Sequence, residues 1–267
     1  MSDLAQLAAS AASTLDRFHL GGRVAVVVGG TKGLGQAMAL ALGAAGADVC
    51  IVGRGPAGLE DTAQAVAGLG RQASSFAADV TDEAQVEHMV AHVLAAHGRL
   101  DVLVNSQGIV ALQPSAEFST DEWQRVMDVN LKSLFLCCKH AGRVMLAQGK
   151  GKIINVSSVR GFQGRIEDPA YAPSKGAVNQ LTRSLAIEWG PRGINVNAIA
   201  PTFTPTQLGS GAYFEDTPQR QWVLSRIPMR RMGQPEDLFG PVVFLASEAS
   251  DFVNGHVLPV DGGWLAA

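Results

Sequence analysis

The chain repeats one pattern along most of its length: a short apolar run, then a stretch in which apolar and small residues recur with helical spacing. Continuous apolar runs are typical of strands buried on both faces, and parallel strands need crossover connections, which helices supply. The pattern predicts an α/β protein with a Rossmann-like, doubly wound parallel sheet in a three-layer α/β/α arrangement. The predicted strands are 23–28, 48–52, 73–78, 100–105, 152–156, 195–199 and 257–260, and the predicted helices are 35–45, 59–67, 83–96, 120–147, 175–189 and 235–245.

The length of 267 residues allows one large domain or two small ones. No linker, repeat or low-complexity tract divides the chain, so one domain is predicted over residues 21–267. Residues 1–20 are predicted to form a leader or packing arm, and Leu4, Leu7 and Leu15 have the spacing of a short amphipathic helix. Residues 201–232 are polar and rich in proline, and we expect them to form a substrate loop.

Composition excludes several classes of protein. With 47% hydrophobic residues, 17% charged residues and a net charge of −3, the chain has a globular composition and lacks the clustered positive charge that nucleic acid binding requires. No stretch reaches the roughly 18 apolar residues of a membrane span. Three cysteines and a start without a signal-peptide pattern favour the cytoplasm.

Three glycines stand where the first predicted strand turns into its helix: Gly29, Gly33 and Gly35. Glycines at this turn let the backbone approach a pyrophosphate, and the helix N-terminus behind it presents unpaired N–H groups. The turn therefore predicts a dinucleotide site, although close packing of strand against helix also selects glycine.

The residue at the end of the second predicted strand indicates which dinucleotide the site binds. An acidic residue there would bind the ribose 2′-hydroxyl of NAD, but the chain has Arg54 instead. Arg54, with Lys32 in the glycine turn, offers positive charge to a 2′-phosphate, so NADP is favoured and NAD is the alternative. The alternative is that Arg54 and Lys32 are ordinary solvated charges on the surface.

Tyr171 and Lys175 stand four residues apart at the start of a predicted helix and therefore share one face. An ammonium beside a phenol favours phenolate and lowers its pKa from the ordinary value of about 10. Ser158 ends the preceding strand, at the edge of the sheet where a hydroxyl can bind a substrate oxygen. The three side chains are candidates for acid–base chemistry.

With these motifs the chain resembles the short-chain dehydrogenase/reductase family from Arg23 to Leu265. The resemblance implies that Tyr171 is the general acid/base, that Lys175 lowers its pKa and binds the nicotinamide ribose, that Ser158 polarises the substrate oxygen, and that Asn130 holds a water in a proton relay. The cofactor contacts it implies are Gly29, Thr31, Lys32, Gly33, Leu34, Gly35, Arg54, Asp79, Val80, Asn105, Tyr171, Lys175, Pro201, Thr204 and Thr206.

Three positions depart from the family pattern. Val28 replaces a threonine before the first glycine, Ser106-Gln107 replaces Asn-Ala before Gly108, and Thr202 replaces a glycine after Pro201. The first two bear on the glycine turn and on bracing between central strands. The third narrows the space beside the nicotinamide.

The segment between Ser158 and Tyr171 borders the substrate in the family, so Gln163, Arg165 and Glu167 are candidate pocket groups and residues 203–222 a candidate lid. Ser158 and Tyr171 complete the expected substrate contacts. An arginine there suits a carboxylate or a polyhydroxylated substrate, and a surface arginine is the alternative.

The C-terminal stretch from Ile227 looks most like the gluconate and deoxygluconate dehydrogenases of this family. The resemblance thus implies hydride transfer between NAD(P) and a sugar acid or small polyhydroxy ketone. A 3-oxoacyl carrier-protein reductase and a non-catalytic NAD(P) sensor are the alternatives. Family members assemble as tetramers or dimers, which fits apolar residues of the long helix, Leu131, Leu134, Phe135 and Leu136, although a core-facing stripe explains them too.

No metal site is expected. His88 and His92 lie opposite the apolar stripe of their predicted helix, which favours a solvated face. The neighbours Cys137 and Cys138 are expected to pack as small apolar side chains.

Overall fold

A single seven-stranded parallel sheet organises the computed structural model, which describes residues 3–205 and 217–267. The strands are β1 (Val24–Val28), β2 (Asp48–Gly53), β3 (Ala73–Ala77), β4 (Val102–Asn105), β5 (Gly151–Val156), β6 (Ile194–Pro201) and β7 (Val257–Val260). Their order across the sheet is β3-β2-β1-β4-β5-β6-β7. The predicted doubly wound fold is confirmed.

Helices cover both faces of the sheet. They are α1 (Asp3–Ala12), α2 (Gly33–Ala44), α3 (Leu59–Ala67), α4 (Glu83–His97), α5 (Thr120–Met127), α6 (Ser133–Gln148), α7 (Tyr171–Trp189), α8 (Pro218–Arg226) and α9 (Phe239–Ala246). Helix α8 falls inside the segment expected to be irregular. Thr217 caps it by accepting a hydrogen bond from the backbone N–H of Arg220, and Pro218 occupies its first turn, where proline is tolerated.

The core lies in two layers because successive side chains of a strand point to opposite faces. Val24, Val26 and Val28 of β1 pack into the layer that contains α4, α6 and α7, whereas Ala25 and Val27 pack into the layer with α2 and α9. All five β1 residues are buried, as expected for a central strand covered on both sides.

The predicted long helix 120–147 is divided. A π-helical turn, Asp128–Lys132, separates α5 from α6, and Asn130 within it is fully buried. A π turn adds a residue to the helical repeat and rotates the next helical segment about the axis, and such turns recur at functional sites. Periodicity alone did not reveal it.

The order in which the chain adds strands to the sheet reverses at β1: β2 lies on one side of β1, and β4 lies on the other. In open α/β sheets this switch leaves a crevice at the carboxyl ends of the strands, where ligands bind. Most of the site residues predicted from the sequence follow strands β1 to β6 at this edge.

The N-terminal segment contributes little to the core. Helix α1 has no buried residue, while Arg17 donates to the backbone oxygen of Glu248 and the ring of Phe18 lies 6.3 Å from that of Phe244. The described helices include none with the length and hydropathy to cross a bilayer.

Candidate active site

Tyr171 is the first residue of α7, and Lys175 follows one turn later. The Lys175 ammonium lies 5.7 Å from the centroid of the Tyr171 ring and donates a 2.8 Å hydrogen bond to the backbone oxygen of Val156, at the end of β5. The helix thus brings the phenol and the ammonium to the carboxyl edge of the sheet, as the sequence predicted.

Ser158 completes this group from the neighbouring strand. It follows β5 in an extended conformation, and its hydroxyl accepts a 3.1 Å hydrogen bond from the backbone N–H of Arg160 and also bonds Tyr171. Ser158, Tyr171 and Lys175 line one cavity of about 260 Å³. The predicted hydroxyl, phenol and ammonium therefore share one concave site.

Burial dominates the acid–base properties of both residues on α7. Burial raises the pKa of Tyr171, and the hydrogen bond with Ser158 opposes that shift only in part. Burial also lowers the pKa of Lys175 to about 8. The sequence predicts that Lys175 lowers the pKa of the phenol. The net shift within the chain is upward instead, because removal from water outweighs the effect of the nearby charges.

Asn130 connects the site to the helices behind it. Its amide nitrogen donates to the backbone oxygen of Ile109 and to the hydroxyl of Ser174, both at 3.0 Å, and its oxygen accepts from the Ile109 N–H at 2.8 Å. These bonds fix the segment after β4 against α7. The side chain acts here as a brace, and its share in a proton relay stays a prediction.

The glycine turn forms a close-packed cradle. A Cβ at Gly35 would collide with the backbone oxygen of Gly29, and a Cβ at Gly29 would lie 2.9 Å from the backbone nitrogen of Gln107. Gly33 starts α2 with φ of 60°, and Lys32 before it makes no side-chain cap. The first-turn N–H groups therefore face a space that a phosphate group fits.

Positive charge borders this space at the end of β2. Arg54 and Lys32 are both exposed, and neither has an ion-pair partner in the described part of the chain. Asp79 nearby accepts hydrogen bonds from the N–H and hydroxyl of Thr81, which lower its pKa. The residues fit a dinucleotide with an additional phosphate on its adenosine half.

The nucleotide cavity adjoins the reaction cavity and shares residues with it: Leu34, Ser106, Gln107, Gly108 and Ile109 line both. The predicted cofactor residues that line the nucleotide cavity are Gly29, Thr31, Lys32, Leu34, Gly35, Arg54, Asp79 and Val80, and those that line the reaction cavity are Tyr171, Lys175, Pro201 and Thr204. Thr206 lies outside the described residues.

Asn105 does not reach either cavity. Its amide donates to the side-chain oxygen of Asn155 at 3.0 Å, and Asn155 in turn donates to Thr182 at 3.0 Å. Asn105 ends β4 with its side chain inside the layer covered by α6 and α7, where it also contacts Cys138. Its side chain supplies bracing between central strands despite the change at Ser106-Gln107, and its assignment to the cofactor stays a prediction.

Of the three candidate substrate residues in the loop before Tyr171, the structure places one in the reaction cavity. Arg165 lines the reaction cavity, and within the described residues it has no ion-pair partner. Gln163 instead accepts a 2.9 Å hydrogen bond from the indole of Trp264, and Glu167 is exposed in a left-handed conformation with φ of 60°. Neither lines the cavity.

Several lining residues were not singled out from the sequence as substrate contacts. Ile109, Val110, Val159 and Phe203 give the reaction cavity an apolar wall. They follow strands β4, β5 and β6, and no spacing signal distinguishes them from packing residues. Thr202, noted as a departure, also lines the cavity, and its hydroxyl is buried with no hydrogen-bond partner among the described residues.

The other sequence candidates line neither cavity. His88 is exposed, but His92 is half buried with its ring 5.0 Å from that of Phe76, so only His88 has the expected solvated position. Cys137 and Cys138 are fully buried, and burial raises the pKa of both thiols. The described residues contain no cluster of three or more groups suited to a metal ion.

Comparisons with known proteins agree with this geometry. The family model described as Enoyl-(Acyl carrier protein) reductase matches residues 28–265. The 2-dehydro-3-deoxy-D-gluconate 5-dehydrogenase of Bacillus subtilis (strain 168) is 45% identical over 251 residues, which cover 94% of this chain and 98% of the relative.

Solved structures show the same fold. The crystal structure of a gluconate 5-dehydrogenase from Burkholderia cenocepacia J2315, in complex with NADP and tartrate, has a TM-score of 0.91 at 39% identity, covering 95% of this chain and 99% of its own. A short-chain type dehydrogenase/reductase from Mycobacterium marinum has a TM-score of 0.88 at 34% identity, covering 96% of this chain and 100% of its own. With the fold, the glycine turn, and the Ser158, Tyr171 and Lys175 cavity all in place, the chain belongs to the short-chain dehydrogenase/reductase family.

Proposed function

We propose that the protein is an NADP-dependent oxidoreductase that interconverts a secondary alcohol and a ketone on a small sugar acid. The observation that carries this proposal is the convergence of Ser158, Tyr171 and Lys175 on a cavity that continues into the nucleotide cavity. Residues 21–267 would act as one catalytic and dinucleotide-binding domain, with residues 1–20 as an arm.

The chain's own groups supply the proton chemistry. When bound, the nicotinamide donates or accepts the hydride. Tyr171 donates a proton to the substrate oxygen during reduction and accepts it during oxidation, and the Ser158 hydroxyl stabilises the charge that develops on that oxygen. Lys175 holds positive charge beneath the phenol, at the edge of β5.

Charge at the adenosine end supports NADP over NAD. Arg54 takes the position at which an acid would favour NAD, and Lys32 stands beside it without an ion-pair partner in the described regions. Guanidinium and ammonium groups bind phosphate through charge-assisted hydrogen bonds. A structural relative holds NADP, which supports the same choice.

The reaction cavity supports an acid as substrate. Arg165 lines it together with Arg160 and Lys175, and Val110 and Phe203 contribute an apolar wall. Such a cavity suits a short carbon chain that carries one carboxylate. The relatives named for 2-dehydro-3-deoxy-D-gluconate and gluconate, and the tartrate in one of their structures, support this substrate class.

The test is a spectrophotometric assay of NADPH and NADH against keto-sugar acids, the matching neutral polyols, simple ketones and acyl thioesters. We expect activity with NADPH and the acids, and weaker activity with the neutral analogues. Arg165→Met should raise KM for the acids by about tenfold, the scale of one hydrogen bond to a charged group, and leave KM for the neutral analogues unchanged. No turnover of any acid by the wild-type protein would contradict the proposal.

A 3-oxoacyl carrier-protein reductase is the second candidate, favoured by the apolar wall of the reaction cavity and by the description of the matching family model. Acyl thioesters in the same assay distinguish it. A sensor that binds NAD(P) without chemistry would show nucleotide binding and no turnover, and the presence of both Tyr171 and Lys175 argues against it.

We also propose a cytoplasmic homotetramer, with a dimer as the alternative. Phe135 on α6 is 44% exposed and Ile187 on α7 is 79% exposed, so these helices present apolar side chains to solvent. Leu134 and Leu136, by contrast, belong to the core, and Leu131 packs against it. Light scattering of the purified protein measures the assembly state.

A further inference from the structure

Asp168 lies three residues before Tyr171, in the loop that leads into α7. Its side chain is buried, with 7% of the residue exposed, and its Oδ1 accepts a 3.0 Å hydrogen bond from the backbone N–H of Ala172. Its Oδ2 is buried and has no hydrogen-bond partner in the described part of the chain. Burying a carboxylate oxygen without a partner destabilises a fold, so a benefit at this position must offset that cost.

The charges around Tyr171 indicate the benefit. Lys175 from α7, Arg160 from the turn after β5 and Arg165 from the loop before α7 line the same cavity as the phenol. Ser158 bonds it as a neutral group, and residues 201–205 at the end of β6 carry no charge. Among the described groups that act on the phenol, Asp168 is the negative one.

We propose that Asp168 is a positioning residue for Tyr171: one carboxylate oxygen holds the first turn of α7, and the buried negative charge adds to burial in favouring the neutral phenol against the three neighbouring cations. This inference rests on the proposed function, in which Tyr171 donates a proton to the substrate oxygen.

The electrostatic effect has a defined sign. A carboxylate beside a phenol disfavours the phenolate, so Asp168 raises the pKa of Tyr171, whereas Arg160 and Arg165 lower it. Removing the carboxylate charge therefore lowers the pKa of the phenol. Two limbs of the pH–rate profiles report Tyr171: the rise of alcohol oxidation with pH and the fall of carbonyl reduction with pH. Both should move to lower pH.

Asp168→Asn separates charge from geometry. Asparagine keeps the shape and an oxygen that accepts from the Ala172 N–H, but it carries no charge. We expect the midpoint of phenolate formation to fall by about one pH unit, with a melting temperature close to that of the wild type. If this variant does not fold, Asp168→Ser keeps a capping oxygen without charge and gives the same test.

The midpoint can be measured without substrate. The chain has two tyrosines, Tyr171 and Tyr213, so in a Tyr213→Phe background the ultraviolet absorbance of phenolate reports Tyr171 alone. Glu167→Gln is the matched control, because it removes the neighbouring negative charge at an exposed position, where solvent screens it. We expect no change of midpoint in the control.

A midpoint in Asp168→Asn equal to that of the wild type would overturn the inference, as would an equal shift in Glu167→Gln. The titration reads the phenol directly, so it decides this point even if the wild-type protein turns over no sugar acid. An absence of sugar-acid turnover would contradict the proposed function, and the titration would still test the role of Asp168.

Discussion

Tyr171 illustrates how a single side chain depends on its surroundings for its chemistry. A phenol in water ionises near pH 10, and the protein both buries this one and surrounds it with charges of each sign. The resulting pKa of Tyr171 depends on groups from the loop, the strand end and the helix together. A motif alone does not give it.

Replacing the phenol tests its role directly. We expect Tyr171→Phe to lower turnover by about a hundredfold or more, the usual scale of a lost acid–base group, while NADPH binding is retained. Steady-state kinetics measure the first quantity and fluorescence titration the second. Turnover within a few-fold of the wild type would remove Tyr171 from its assigned role.

The proposed role of Arg54 in cofactor choice is tested in the same local way. Arg54→Asp exchanges a cation for an anion at the end of β2, so the 2′-phosphate of NADP is repelled and the 2′-hydroxyl of NAD gains an acceptor. We expect the ratio of kcat/KM for NADPH to that for NADH to fall by roughly tenfold to a hundredfold, the scale of one charge-assisted hydrogen bond. An unchanged ratio would show that other groups recognise the phosphate.

At the level of elements, the contact between the glycine turn and α2 is the most demanding. A methyl group on Gly35 would overlap the backbone oxygen of Gly29, so the turn must move away from its phosphate-binding shape. Gly35→Ala should weaken NADPH binding at least about tenfold, as expected for loss of the hydrogen bonds from the turn. Isothermal titration calorimetry measures the affinity.

Gly240 in α9 provides the matched control. It is exposed, and a Cβ there meets no atom within 4 Å, so alanine gains helix propensity without a collision. We expect Gly240→Ala to leave NADPH affinity unchanged and to stabilise the fold by up to about 1 kcal/mol. Equal losses of affinity in the two variants would argue against a specific cradle.

Much of this architecture was predictable from the sequence, because strand and helix carry different apolar periods. The seven strands, the order of elements, and the places of Ser158, Tyr171 and Lys175 follow from the pattern and from the family resemblance. The π turn at Asn130 does not, since the apolar spacing over residues 120–147 was interpreted as one continuous helix. The helix that starts at Pro218 was also missed, because its sequence is strongly polar.

Long-range contacts account for the remaining differences at the site. Gln163 pairs with Trp264, about a hundred residues further on, and Asn105 pairs with Asn155 across two strands. Neither partner is evident from local sequence. The burial of Asp168 depends likewise on what packs around its loop.

At the scale of the whole molecule, Glu248 links parts that are distant in sequence. Its carboxylate accepts hydrogen bonds from Arg23 at 2.8 Å and Lys150 at 2.9 Å, and its backbone oxygen accepts from Arg17. The hydrogen bond and charge of Lys150 hold the pKa of Glu248 below its ordinary value. The N-terminal segment, the start of β1 and the approach to β5 thus meet at one residue.

This contact gives a pH dependence of stability with a definite sign. Because the folded pKa of Glu248 is lowered, its contribution is complete above the ordinary carboxyl pKa and is lost as the pH falls through the folded value. Glu248→Gln should lower stability near neutral pH by less than about 1 kcal/mol, since the carboxylate is about half exposed. The difference from the wild type should then disappear in acid.

Urea denaturation at several pH values measures this effect. Glu117→Gln is the control, because Glu117 is exposed and has no ion-pair partner among the described residues. A difference between Glu248→Gln and the wild type that persists unchanged at low pH would show that the side chain stabilises the fold through packing.

The shared border between the two cavities has a consequence for inhibitor design. Because the segment from Ser106 to Ile109 faces both, a single synthetic molecule can span them across Gly108. A phosphonate at one end would engage the helix terminus at Gly33, and a carboxylate at the other would engage Arg165. Joining the two fragments spares the entropy of immobilising the second one, so the linked compound should bind far more tightly than either piece.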